Sequence, residues 1–104
     1  MTTFDSRQKA FEDMFARDAD LQFKVMARRN KLLGLWAAGL LGHTGEAATA
    51  YAMEVVAADF EEPGDEDVYR KVAGDLGDKA TEAEIRAAML TTMTEATRQY
   101  MDVV

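Results

Sequence analysis

The sequence of 104 residues contains no cysteine, one histidine and one proline. Without cysteine there is neither a disulfide framework nor thiolate chemistry, and without a second histidine a zinc site lacks its usual ligands. The single histidine, His43, lies between glycines at positions 42 and 45, which is typical of an exposed turn. We therefore predict no catalytic residue, no metal site and no enzyme activity.

Long hydrophobic runs are also missing. The longest apolar run, Leu32 to Leu41, covers ten residues and includes two glycines, whereas a membrane-spanning helix needs about 20 apolar residues. The chain is charged from Asp5 onward and lacks the apolar stretch of a secretory signal. We expect a soluble, cytoplasmic protein without direct membrane insertion.

The net charge of −7 disfavours nucleic-acid binding, because phosphate contacts need a basic face. This charge is unevenly distributed. No acidic residue occurs between Asp20 and Glu46, where four basic residues lie, whereas nine acidic residues occur from Glu54 to Asp78. Two interpretations stay open: charges that pair between packed helices, or two docking faces of opposite charge.

Scarce proline, few β-branched residues and frequent alanine predict an all-α protein. Gly42 is suited to end a helix, Asp65 is suited to cap one, and Thr81 with Glu84 forms a capping box. Helices joined by short connections favour a compact four-helix bundle. We expect its helices at roughly 20–41, 45–60, 65–77 and 81–103.

The opening segment carries three phenylalanines, Phe4, Phe11 and Phe15, which a helix would bring onto one side. An isolated helix of this length is marginal in water. We therefore expect a mobile, partly helical N-terminal segment at 1–18 and a four-helix bundle at 19–104.

This aromatic edge has three candidate uses. A membrane surface would need flanking basic residues, but three basic and four acidic residues are mixed from Asp5 to Asp18. The phenylalanines could instead fold back onto the bundle core, or anchor the helix in a groove of another protein. The residues alone leave these last two uses open.

A nucleotide site is the alternative function. The glycines at 39, 42 and 45 fit no phosphate loop, since neither Lys-Ser nor Lys-Thr follows them. Guanidinium groups nevertheless hold phosphate well. In this alternative, a small helical module senses ATP or ADP by weak binding to its first bundle helix, through Arg28, Arg29, Lys31 and the ring of Trp36.

Two stretches carry a resemblance to a known family: ARRNKLLGLWAA at 27–38 and ADFEEPGDEDV at 58–68. Together with Phe4-Asp5-x-Arg7 and Ala10-Phe11-Glu12, they closely resemble the zeta subunit family. Proteins of that family are small inhibitory subunits of the alphaproteobacterial F-type ATP synthase. The resemblance covers nearly the whole chain and is most specific from Phe4 to Asp67.

The resemblance implies a four-helix bundle with an N-terminal inhibitory segment. That segment would insert at a catalytic subunit interface and block rotation in the hydrolytic direction. It also implies the catalytic head and rotor subunits of the synthase as partners and a cytoplasmic location peripheral to the inner membrane. A protein that is monomeric when free suits this segmental mechanism. The implied inhibitory residues are Phe4, Asp5, Arg7, Ala10, Phe11, Glu12 and Phe15.

Overall fold

The computed structural model describes residues 3–59 and 64–103, and this part of the chain contains five α-helices and no strand. The all-α prediction is confirmed. The helices are α1 (Thr3–Arg17), α2 (Ala19–Leu41), α3 (Gly45–Ala58), α4 (Glu66–Leu76) and α5 (Glu82–Val103), with a short 3₁₀ helix at Gly77–Lys79.

The helix boundaries follow from local chemistry. Asp18 separates α1 from α2, because its carboxylate accepts hydrogen bonds from the backbone N–H groups of Asp20 and Leu21. Gly42 ends α2 in the left-handed conformation, with φ of 83°. The predicted capping box is confirmed, since the N–H of Glu84 donates to the hydroxyl of Thr81 at 3.1 Å and the N–H of Thr81 donates to Glu84 at 2.9 Å.

The central helix is α2, which contacts each of the other four helices. Its closest neighbour is α3, and at Gly34 a Cβ atom would lie 2.6 Å from the backbone Cα of Ala52. Only a residue without a side chain fits this approach. The main core lies around this contact and continues through α4 to the start of α5. It comprises Leu33, Ala37, Ala38, Tyr51, Val55, Val68, Val72, Leu76, Ala80, Ile85 and Met89.

Ion pairs join the later helices at the surface. Lys71 of α4 lies 3.0 Å from Glu54 of α3, and Arg86 of α5 lies 3.0 Å from Glu66 of α4. The guanidinium of Arg86 also covers the ring of Tyr69 at 3.8 Å from its centroid. Glu54 and Glu66 of the acidic stretch are therefore paired within the fold, with cations that lie outside the basic stretch at 20–46.

Candidate partner-binding site

The predicted inhibitory segment forms the helix α1, and this helix packs on the bundle. Phe11 is only 4% exposed and lies in a second apolar cluster, separate from the main core. The start of α2 and the end of α5 supply the other buried members of the cluster, which are Leu21, Val25, Ala96 and Met101. Phe11 therefore folds back onto the bundle, which is one of the candidate uses of the aromatic edge.

Two polar contacts reinforce this packing. The guanidinium of Arg7 donates to the backbone carbonyl of Met101 at 3.3 Å, and the side-chain amide of Gln22 donates to the carbonyl of Phe15 at 2.6 Å. Phe15 is partly buried, and its ring stacks on that of Phe11 at 6.2 Å between centroids. These contacts hold the helix at both ends of its apolar face.

The predicted inhibitory residues divide into two groups in this arrangement. Asp5, Ala10 and Glu12 are exposed, whereas Phe11 and Phe15 face the bundle. The side chain of Phe4 lies outside the described part of the chain. Phe11 and Phe15 are thus covered while α1 is docked. A partner can bind these two rings only after α1 has separated from α2 and α5.

A buried polar network joins α2 to the end of α3 and the start of α4. Arg29 and Asn30 are 2% and 1% exposed, and the Nε of Arg29 donates to the amide oxygen of Asn30 at 2.7 Å. Arg29 also pairs with Asp65 at 2.8 Å, and the Asn30 amide donates to Asp59 at 2.9 Å. No buried side-chain N or O atom in the described residues lacks a hydrogen-bond partner.

This network corrects one sequence prediction. Asp65 occupies the N-cap position of α4, but its side chain makes no capping hydrogen bond. Its carboxylate accepts from Arg29 instead, a contact between residues 36 positions apart. A cap bond to this carboxylate would also be charge-assisted, but only the bond to Arg29 neutralises a guanidinium that is 2% exposed, and a buried charge left unpaired is costly.

Asp59 gives the fold a pH dependence of defined sign. Burial raises the pKa of its carboxyl above the ordinary 3.8, and nearby Asp67 and Asp65 act in the same direction, whereas Asn30 and Arg29 oppose them. The folded state therefore binds the proton more tightly than the unfolded chain does. Below 3.8 the carboxyl is protonated in both states and costs no stability. The cost grows as the pH rises from 3.8 to the raised pKa, and it is constant above that pKa.

We predict that Asp59→Asn, which keeps an oxygen acceptor for Asn30, gains stability relative to the wild type as the pH rises from acid to neutral. The measurement is urea unfolding across that range, followed by circular dichroism. Asp78→Asn, which removes an exposed carboxylate from the 3₁₀ helix, is the reference for the loss of one surface charge. Parallel pH profiles for the two variants would contradict the prediction.

The four residues of the predicted nucleotide site do not come together in the structure. Arg28 and Lys31 line a surface hollow between α2, α3 and α5, whereas Trp36 lines a different hollow, against α5. Arg29 is engaged with Asp65 and Asn30. ATP or ADP binding stays a prediction, which titration monitored by the fluorescence of Trp36 would test.

The sequence analysis did not single out two exposed apolar residues, Phe23 of α2 and Met53 of α3, which are 54% and 52% exposed. Both line the hollow that Arg28 and Lys31 border. The sequence did contain a signal for Phe23, because this apolar residue of α2 lies outside the stripe that faces the core. Helical spacing alone does not show that Met53, 30 positions away, lies beside Phe23.

Residues 3–59 and 64–103 include no helix with both the length and the hydropathy of a membrane span. They also contain no group of three or more histidine, cysteine, aspartate or glutamate side chains placed to hold a metal ion.

The fold and the candidate site together define a small all-α protein whose first helix packs an aromatic face on the bundle. Comparison with known proteins identifies the family: the model of the ATPase inhibitor subunit zeta family matches residues 1–99, and the chain belongs to that family. Its members are named as inhibitor subunits, which is a regulatory role.

The fold has an experimental counterpart. A protein structure solved by solution NMR is 58% identical in sequence, covers 81% of this chain and 99% of its own, and superposes with a TM-score of 0.75. No curated protein matches the chain.

Proposed function

We propose that the protein inhibits ATP hydrolysis by the F-type ATP synthase, with α1 as the inhibitory element. The observation that carries the proposal is the position of the aromatic face. Phe11 and Phe15 belong to a cluster apart from the main core, on a helix that ends at the Asp18 cap. Removal of α1 leaves every buried member of the main core in place.

The proposed mechanism begins with the release of α1 from α2 and α5. Full burial of one phenylalanine contributes about 1.5–3 kcal/mol. If Phe11 dominates the docking, the released state holds roughly 1–10% of the molecules, and the apparent affinity for the synthase falls by that fraction. The inhibitor is therefore restrained by its own bundle but not disabled.

In the second step, α1 enters a catalytic subunit interface while that interface is open. Phe11 and Phe15, with Phe4, anchor it as a helix in a groove, and exposed residues such as Asp5 and Glu12 lie at the rim. Closure of the interface during ATP hydrolysis traps the helix and stalls the rotor. Rotation in the synthesis direction reopens the interface and expels it.

The experiment measures ATP hydrolysis by the cognate synthase with the full-length protein and with a variant in which Phe4, Phe11 and Phe15 are all alanine. We expect the full-length protein to inhibit ATP hydrolysis. The triple-alanine variant should need at least a tenfold higher concentration for the same inhibition. Leu90→Ala is the matched control, because Leu90 is apolar and 71% exposed but lies on α5. Equal inhibition by all three proteins would mean that the aromatic face of α1 has no part in inhibition. No inhibition by the wild type would refute the proposal.

A further inference from the structure

A second apolar surface lies between α2 and α3. Two hollows of about 320 Å³ each adjoin there and share the side chains of Phe23, Ala27 and Val56. Met26 lines the first hollow and Met53 lines the second. The two hollows thus form one groove along α2, which we call the α2–α3 groove.

The α2 wall of this groove is a helical stripe. Ala19, Phe23, Met26 and Asn30 recur at spacings of three and four residues, so they lie on one face of α2. From Ala19 to Lys31 the stripe extends about 18 Å at a rise of about 1.5 Å per residue. That length accommodates about three turns of a partner helix.

Two of the exposed large apolar side chains lie together in this groove. Phe23 and Met53 are two of the five large hydrophobic side chains that are substantially exposed among the described residues. Single exposed apolar residues are ordinary, but neighbouring ones in a concave surface are typical of a protein-binding site. Methionine suits such a groove because its flexible thioether adapts to the shape of a partner.

The rim of the second hollow is basic, whereas Asp59 at the first hollow accepts a hydrogen bond from the Asn30 amide. Lys24, Arg28 and Lys31 all line the second hollow, within a chain whose net charge is −7. Lys24 pairs with Asp20 at 2.9 Å, but both side chains are more than half exposed, and such a pair is worth little and is readily exchanged. A partner with carboxylates beside an apolar face complements this rim.

We infer that the α2–α3 groove binds an acidic, amphipathic helix of the ATP synthase head, as a second contact besides α1. This inference rests on the proposed function, since it takes the synthase as the partner. The groove holds the bundle at the head while α1 is released, so the insertion of α1 becomes an intramolecular step with a high effective concentration. Nucleic acid fits less well, because phosphate contacts would leave Phe23 and Met53 uncovered. A flat lipid surface fits a concave groove less well than a helix does.

The test measures the dissociation constant of the full-length protein from the purified synthase head, together with inhibition of ATP hydrolysis. Phe23→Ser removes an apolar contact and Arg28→Glu reverses a rim charge. Their controls are Leu90→Ser, at an exposed apolar position on α5, and Lys79→Glu, which makes the same change in net charge at the exposed 3₁₀ helix. Circular dichroism verifies that each variant is folded.

We expect each groove variant to bind at least tenfold more weakly, with both controls within twofold of the wild type. The effect of Arg28→Glu should shrink in high salt, because the contact is electrostatic. If the wild type binds and inhibits but the groove variants match their controls, the groove assignment is wrong and the proposed function stands. If the wild type neither binds nor inhibits, both fail. A wild-type dimer in sedimentation that Phe23→Ser dissociates would assign the groove to a second copy and overturn the inference.

Discussion

Gly34→Ala is expected to lower the free energy of unfolding by about 1–3 kcal/mol, the usual cost of overpacking a core. The added Cβ would lie 2.6 Å from the backbone Cα of Ala52 and 3.2 Å from a methyl group of Val55. Because the first of these atoms belongs to the backbone of α3, no side-chain rotation relieves the contact. The two helices must separate, and this disturbs the closest contact of the central helix.

The matched control is Gly39→Ala in the same helix, where an added Cβ meets nothing within 4 Å. Alanine is favoured over glycine inside an exposed helix by about 0.5–1 kcal/mol, so this variant should gain stability. Thermal unfolding separates the two effects, since 1 kcal/mol shifts the Tm of a domain of this size by roughly 4–8 °C. A Gly34→Ala protein as stable as Gly39→Ala would mean that α2 and α3 are not in this close contact.

Deletion of residues 1–18 is expected to abolish inhibition of ATP hydrolysis and to leave a folded but less stable bundle. The main core contains no buried residue from α1, so α2 to α5 keep their packing. The second cluster loses Phe11, and Leu21, Val25, Ala96 and Met101 lose their cover. We expect a lower Tm, a loss of helicity confined to the first turn of α2, which loses its Asp18 cap, and increased binding of a hydrophobic dye.

The dye measurement distinguishes the docked helix from a free one. If α1 were already detached in the full-length protein, deletion would expose no new apolar surface and would leave dye binding and Tm unchanged. A loss of inhibition together with a loss of helical structure would mean that α1 is needed for folding, which would contradict the separation of the two clusters. The expected outcome is loss of inhibition of ATP hydrolysis with retention of the folded bundle.

The sequence predicted the fold well wherever a local signal decides the structure. The αL glycine at position 42 and the reciprocal bonds of Thr81 and Glu84 act within a few residues, and their helix ends were predicted correctly. The predicted end of α3 at Phe60 lies outside the described residues. Local chemistry therefore gave the order of the bundle helices, but not their contacts.

What the sequence did not decide depends on distant residues. The spacing of Phe11 and Phe15 is the same whether the helix covers its own bundle or enters the groove of a partner. Arg29 looked like one of four equivalent cations, but its burial depends on Asp65, which only the approach of α4 to α2 brings near. The candidate inhibitory helix was thus predictable, whereas its docked position was not.

The docking site of α1 combines the two ends of the chain, and this affects the order of events during translation. Phe11 is synthesised 85 residues before Ala96 and 90 residues before Met101. At about 5–20 residues per second, those 85–90 residues take roughly 4–18 s to synthesise. During that interval the aromatic face of the nascent helix lacks the α5 part of its docking site.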